Sequence, residues 1–145
     1  MRSHLRNVVP MLIGLFLVTL GAPWARAQIT NPIRAHLDHS FVIGNTTLPP
    51  GDYTFRVEQN SDLGAMTAES ADGKTAVDFL VRETTADHTP AHSELTFRKF
   101  GNVEFLNRIF ETGSKDGAKV TESSRREERL VKEHQQSIEH TEVEK

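Results

Sequence analysis

Asp52-Tyr-Thr-Phe-Arg-Val-Glu58 is the stretch that decides the fold class of this chain. Tyr53, Phe55 and Val57 alternate with polar and charged residues, and a period of two places apolar side chains on one face of an extended strand. The stretch therefore predicts a half-buried β-strand, and with it a β-sheet built around that strand.

A turn precedes this strand. Leu48, Pro49, Pro50 and Gly51 combine two residues of fixed φ with one that tolerates a positive φ, which is typical of a tight turn. We interpret the segment as a rigid turn that sets the register of the strands on either side. The alternative is a surface loop that presents extended prolines to a partner.

The same period of two extends over the region from Ile33 to Phe110. Upstream of the turn one apolar face is formed by alternate residues, namely Ile33, Ala35, Leu37, Phe41 and Ile43. Downstream, Asp72-Gly73 and Gly101-Asn102 predict hairpin turns, and the polar segment from Arg82 to His92 predicts a loop.

These patterns predict one all-β domain over residues 28–110, a small antiparallel β-sandwich or partly open barrel of about six or seven strands. The phenylalanines locate its core, because all of them except Phe16 lie between Phe41 and Phe110. The choice between sandwich and barrel stays open, since both architectures bury alternate residues of short strands.

The composition becomes strongly charged after Phe110, so residues 111–145 are interpreted as a charged linker and a C-terminal helix or tail. Ser124-Arg-Arg-Glu127 fits a capping box that opens the helix. Such a helix can dock on the sheet or on another envelope or extracellular protein, and we expect its end to fray from Thr141 onward. The apolar stripe available for docking recurs at every fourth residue: Leu130, His134 and Ile138.

Residues 1–27 have the three parts of a secretory signal peptide. Arg2 and Arg6 precede an apolar run that is too short to span a bilayer, and Ala25-Arg-Ala27 supplies the small residues that signal peptidase requires. We expect cleavage between Ala27 and Gln28. The mature protein is then exported, to the periplasm or to the cell exterior, and carries no membrane span.

Composition also narrows the classes of function. The net charge of the full chain is −3, and every charged residue before Gln28 is basic. The mature chain is therefore more acidic than the full chain. Nucleic acid is disfavoured as its partner for that reason. There is no cysteine, which excludes thiol catalysis and cysteine metal sites. No catalytic motif or phosphate-binding glycine loop occurs, so the sequence predicts neither an enzyme nor a cofactor.

Histidines and aspartates suggest two places where a metal ion could bind. On a strand, residues two apart share a face, so His36 and Asp38 on the open face of the first strand are candidate metal ligands. His39 falls on the apolar face of that strand, and we expect it to be a packed, hydrogen-bonded core residue. The two candidate sets are His36 with Asp38 on the strand, and Asp87 with His88 and His92 in the polar loop.

Two longer motifs resemble a family of small secreted bacterial proteins, known chiefly from Acidobacteria. The family patterns are F-x-V-G-x-K-T-L-P-A-G-x-Y-x-V and L-x-F-x-R-Y-G-x-x-Y-F-L-x-x-x-W. They are similar to residues 41–55 and 95–110 of this chain, and a third block, S-x-x-E-R-E-L, is similar to residues 124–130. The chain departs from the family at His39, Ser40 and Thr46, where an aromatic, an acid and a lysine are usual. The resemblance implies secretion but no activity, because the family has none assigned.

The leading hypothesis from the sequence is an exported, non-enzymatic β-domain with a structural or interaction role in the cell envelope or outside the cell. A periplasmic metal-binding protein that uses loop or strand histidines is the second hypothesis. An unrecognised hydrolase is the third, because catalytic triads are defined by geometry rather than by sequence order. The sequence leaves the oligomeric state and the identity of any partner open.

Overall fold

The computed structural model describes residues 29–58, 64–133 and 137–144. The predicted signal peptide, residues 1–27, and the predicted cleavage position between Ala27 and Gln28 lie outside the described residues. All further statements concern the described part of the chain.

The predicted all-β class is confirmed: the described residues form ten strands and one helix. In chain order these are β1 Ile33–Leu37, β2 Phe41–Ile43, β3 Thr46–Leu48, β4 Gly51–Val57, β5 Ala65–Ser70, β6 Ala76–Thr85, β7 Glu94–Phe100, β8 Val103–Phe110, β9 Asp116–Val120, α1 Arg125–Lys132 and β10 Ile138–Val143. The strand number therefore exceeds the expected six or seven.

The strands form one open sheet, in the order β1-β4-β5-β6-β9-β8-β2-β3. Strand β7 pairs with β8 beside this path, and β10 pairs with β7. The pairs are antiparallel except for β2 with β8, which is parallel. Strand β6 serves two neighbours in succession, because Ala76–Leu80 pairs with β5 and Val81–Thr85 pairs with β9. The chain does not close the sheet between β1 and β10 with a ladder of hydrogen bonds in the described part.

The core contains the apolar faces that the period of two predicts. Tyr53 and Phe55 are buried, and the Tyr53 ring meets the ring of Phe41 edge-on, with 5.1 Å between the centroids. The Tyr53 hydroxyl donates a hydrogen bond to the carbonyl oxygen of Pro49 at 2.7 Å. The Leu48–Gly51 turn thus connects β3 to β4 and is tied to the core by the strand that follows it.

Two stretches differ from the expected strand pattern. The run from Ile33 to Ile43 is divided into β1 and β2, because β1 pairs with β4 whereas β2 pairs with β3 and β8. The predicted loop from Arg82 to His92 is wrong in its first part, since β6 continues to Thr85. Arg82 and Glu83 are exposed on that strand, and pairing with β9 rather than burial of apolar side chains keeps them extended.

The boundary at Phe110 is wrong as a limit of the sheet. Strand β9 lies between β6 and β8, and β10 pairs with β7. Residues 113–117 have the composition of a flexible turn, but Gly117 is a buried residue of β9 that pairs with Phe110 of β8. A Cβ atom at this position would overlap the carbonyl oxygen of Ile109 and the ring of Phe110, so glycine permits the close approach of the two strands.

The helix begins where the sequence predicts and ends earlier. Ser124 is its N-cap, and its side chain accepts a hydrogen bond from the backbone N–H of Glu127 at 2.9 Å. Leu130 packs against an outer cluster of apolar side chains, so the stripe of the helix contacts the protein's own sheet. That cluster consists of Val42, Phe100, Val103 and Phe105. Ile138 does not continue the stripe, because it belongs to β10, and His134 lies outside the described residues.

We predict that Phe55→Ala lowers the free energy of unfolding by about 3–5 kcal/mol, because a fully buried ring is lost and leaves a cavity. Urea unfolding followed by circular dichroism measures the change. The matched control is Leu80→Ala, since Leu80 is 39% exposed. Equal urea midpoints for the two variants would contradict the position of the core.

The turn between β5 and β6 generates a pH-dependent prediction. The Ser70 hydroxyl and the backbone N–H of Lys74 donate hydrogen bonds to the Asp72 carboxylate, and together they lower its pKa from 3.8 to about 2. A lowered pKa in the folded state gives stability that is present above the unfolded pKa and is lost as the pH falls towards the folded value. We expect Asp72→Asn to lose less stability than the wild type when the pH falls from about 4 to about 2.

Thermal unfolding at a series of acidic pH values tests this expectation. Asp87→Asn is the control, because it removes an exposed acid from the loop before β7. If both variants follow the wild-type pH profile, the carboxylate of Asp72 does not contribute to folding in the way described.

Candidate functional site

The predicted loop site is not assembled in the structure. Asp87, His88 and His92 are exposed in the connection between β6 and β7. The His88 ring nitrogen Nε2 lies 3.6 Å from Glu94 Oε1. Among the described residues, these side chains do not form a group of three that could hold one ion.

The predicted strand site is not assembled either, because His36 and Asp38 have different partners. His36 faces Asp52 across the β1–β4 ladder, and its Nδ1 lies 2.7 Å from Asp52 Oδ1. Asp38 instead lies beside His39, with Oδ1 3.0 Å from His39 Nδ1. A continuous strand would place Asp38 and His39 on opposite faces. The two side chains meet because β1 ends at Leu37 and the chain bends there.

A different group of side chains comes together at one end of the sheet. We call it the imidazole cluster, and it consists of His39, Glu104, His140 and Glu142. His39 lies in the connection between β1 and β2, Glu104 on β8, and the other two residues on β10.

Strand register explains why residues so far apart in sequence meet. Glu104 pairs with Phe41 of β2, directly after the bend that contains His39. On its other side β8 pairs with β7, and β7 pairs in turn with β10, where His140 is opposite Phe97. The ring of Phe97 is fully buried and lies under both imidazoles. The His140 ring is stacked on it, and the His39 ring meets it edge-on, each with 5.5 Å between centroids.

Both imidazoles approach one carboxylate oxygen. His39 Nε2 lies 2.6 Å from Glu104 Oε2, and His140 Nε2 lies 3.2 Å from the same atom. His140 Nε2 is also 3.7 Å from Glu142 Oε1. The ligand atoms of His39, His140 and Glu142 all lie within 4.8 Å of one another, the one such group of three among the described residues.

Glu104 is the most buried member of the cluster, with 7% of its side chain exposed. A carboxylate at such a position is costly unless it is paired. Lys99 Nζ compensates one oxygen, Oε1, at 2.9 Å. The second oxygen, Oε2, has no hydrogen-bond partner in the described part of the chain, and neither has His39 Nε2.

His39 Nε2 and Glu104 Oε2 lie 2.6 Å apart, which is ion-pair distance when the ring is protonated. Buried polar atoms without partners are rare, and an ion is one of the few explanations for them.

Asp38 contacts the second ring nitrogen of His39, Nδ1, at 3.0 Å. The hydrogen bond with His39 lowers the pKa of the exposed Asp38 carboxyl, which therefore stays ionised as an acceptor. A carboxylate oxygen lies beside each ring nitrogen of His39, that of Asp38 at Nδ1 and that of Glu104 at Nε2. Metal-binding histidines commonly have such a carboxylate at their second nitrogen. Asp38 is thus an orienting partner of His39, whereas the sequence suggests it as a ligand.

The arrangement is suited to holding a cation. Two imidazole nitrogens together with carboxylate oxygens form a ligand set that zinc and copper accept. The polar neighbours of both imidazoles within the described ranges are carboxylates, namely Asp38, Glu104 and Glu142. A ring surrounded by acids in this way can bind a cation.

Three members of the cluster are missed by reasoning from the sequence. His140 and Glu142 are two apart, a spacing that puts both on one face of a strand. The strand itself is not predicted, because the charged composition of this region indicates a helix or tail. Glu104 stands inside the apolar run Val103–Leu106, and an acid in a buried strand was a detectable signal. His39 is packed on Phe97 as expected, although it is only partly buried.

Comparisons of this chain with protein-family profiles, with curated proteins and with solved structures return no match. The helix of the described region is too short and too polar to cross a membrane.

Proposed function

We propose that this protein is an exported, non-enzymatic β-domain that binds a divalent transition-metal ion at the imidazole cluster. The observation that carries the proposal is the convergence of two imidazole nitrogens on the buried carboxylate oxygen Oε2 of Glu104, beside the carboxylate of Glu142. An ion placed among these atoms gives each of them a partner.

The donor atoms indicate the kind of ion. The three proposed ligands are one imidazole nitrogen each of His39 and His140 and a carboxylate oxygen of Glu142, and Glu104 Oε2 lies beside the two rings. Imidazole nitrogens prefer zinc, copper or nickel, whereas calcium and magnesium prefer sites made of oxygen alone. Lys99 Nζ contacts the other Glu104 oxygen, Oε1, and Oε2 lies beside the two imidazoles.

Export is the second part of the proposal. It is supported by the basic, apolar and small-residue parts of residues 1–27 and by the resemblance to small secreted bacterial proteins. Outside the cytoplasm the absence of cysteine leaves histidine and acidic residues as the metal ligands that this chain offers. An interaction role for the charged C-terminal region stays a prediction, and the proposal does not require it.

Isothermal titration of the untagged protein with Zn²⁺, Cu²⁺ and Ni²⁺ tests the site. We expect one bound ion per chain, and we expect His39→Gln and His140→Gln each to weaken binding by at least about tenfold, because each removes a ligand. The double variant His88→Gln/His92→Gln is the control, and it should bind as tightly as the wild type.

The control also separates the two candidate sites. If the double loop variant loses binding while the two cluster variants keep it, the ion binds at the loop and the proposed site is wrong. If the wild type binds none of the three ions, the proposed function is wrong altogether. Thermal unfolding of each variant without metal identifies any loss of binding that is due to unfolding.

A further inference from the structure

Strand β10 is attached to the sheet along one edge. All six of its residues pair with β7, from Ile138 opposite Lys99 to Val143 opposite Glu94. On its other edge β10 faces β1, and the contact there is a hydrogen bond from the backbone N–H of Arg34 to Glu144 Oε1 at 3.4 Å. The strand is therefore an edge strand of an open sheet.

Few apolar contacts hold β10 in place. None of its residues belongs to the two clusters of apolar side chains in the described structure. Its own large apolar side chains point into solvent, with Ile138 67% and Val143 47% exposed. The side-chain contacts of the strand are polar or aromatic: the ion pair of Glu139 with Arg108 and the stacking of His140 on Phe97.

Segments that are held by exposed hydrogen bonds and few buried apolar groups open locally at a low cost in free energy. Such opening of β10 exposes the edge of β7 and removes the cover from Phe97, which is fully buried in the folded protein. A free strand edge can pair with other chains. The attachment of β10 thus decides whether the sheet ends at β10 or at β7.

The imidazole cluster contains residues of β10 and residues of the rest of the sheet. His140 and Glu142 belong to β10, whereas His39 lies next to the buried Phe41 and Glu104 is on β8, between β7 and β2. An ion bound by residues of both groups connects the weakly held strand to the firmly packed part of the sheet.

We propose that the bound metal ion is the clasp that fixes β10 on the sheet, so that occupancy of the site controls whether β10 opens. This inference rests on the proposed metal-binding function and adds a regulatory consequence to it. Ligands on β10 and ligands on the rest of the sheet cannot hold one ion when the strand is detached, so the ion binds the closed state preferentially.

Linkage gives the size of the effect. A ligand that binds one state alone, at a free concentration about 100 times its Kd, lowers the population of the other state by about 100-fold. Saturating metal should therefore slow hydrogen exchange that proceeds through opening of β10 by up to that factor, while strands that do not open with β10 keep their rates.

Hydrogen–deuterium exchange with mass spectrometry tests the clasp on the full protein, with and without saturating Zn²⁺. We expect backbone amides of residues 138–144 to exchange at least about tenfold more slowly with Zn²⁺. The internal reference is β4, whose exchange should be unchanged. The double variant His39→Gln/Glu104→Gln should lose most of the effect at the same Zn²⁺ concentration, because β10 keeps its own ligands but the rest of the sheet no longer offers one.

The outcomes separate the two proposals. If Zn²⁺ binds in the titration but the exchange of residues 138–144 stays the same, the clasp is wrong and the metal-binding function stands. If Zn²⁺ slows exchange in His39→Gln/Glu104→Gln as much as in the wild type, the ion acts within β10 alone and the clasp is wrong. If Zn²⁺ does not bind, the function fails and the clasp fails with it.

Discussion

The arrangement of the sheet depends on the backbone pairing of β8. One edge of this strand pairs with β7 along its whole length. The opposite edge is divided, because Glu104 and Phe105 pair with β2 whereas Arg108–Phe110 pair with β9. A strand that bonds to three others draws together segments from the beginning, the middle and the end of the chain. The β1–β2 bend and, through β7, strand β10 both reach Glu104 in this way.

Local patterns account for much of the sheet. Tyr53 and Phe55 alternate with polar residues and are buried as the period of two predicts, and Ser124 caps the helix as the capping box predicts. The strands missed by sequence reasoning lack such patterns. Gly117 and Ala118 of β9 are small, and β10 exposes both Ile138 and Val143. These two strands form because β6, β8 and β7 offer unpaired backbone groups, which is information from the tertiary structure rather than from the segments themselves.

The site could be predicted in part only. The two-residue spacing of His140 and Glu142 was available from the sequence, and so was the chemistry of histidine. Their meeting with His39 and Glu104 was not, because it depends on a parallel β2–β8 pair and on the register of β10 with β7. The histidines that are close in sequence, His88 and His92, prove to be exposed loop residues. Proximity in sequence is therefore a poor guide to metal ligands in a sheet whose strands are ordered by long-range pairing.

Charge balance is the strongest reason to place a cation in the imidazole cluster. Asp38, Glu104 and Glu142 each face an imidazole, and the ammonium group of Lys99 contacts Glu104. Asp38 is exposed to water, so with neutral rings the carboxylates of Glu104 and Glu142 exceed the charge of Lys99 by one, and Glu104 is almost completely buried. Excess charge of one sign is costly in a poorly solvated site. A divalent cation supplies the missing positive charge, gives Glu104 Oε2 and His39 Nε2 a partner, and joins β10 to the bend before β2.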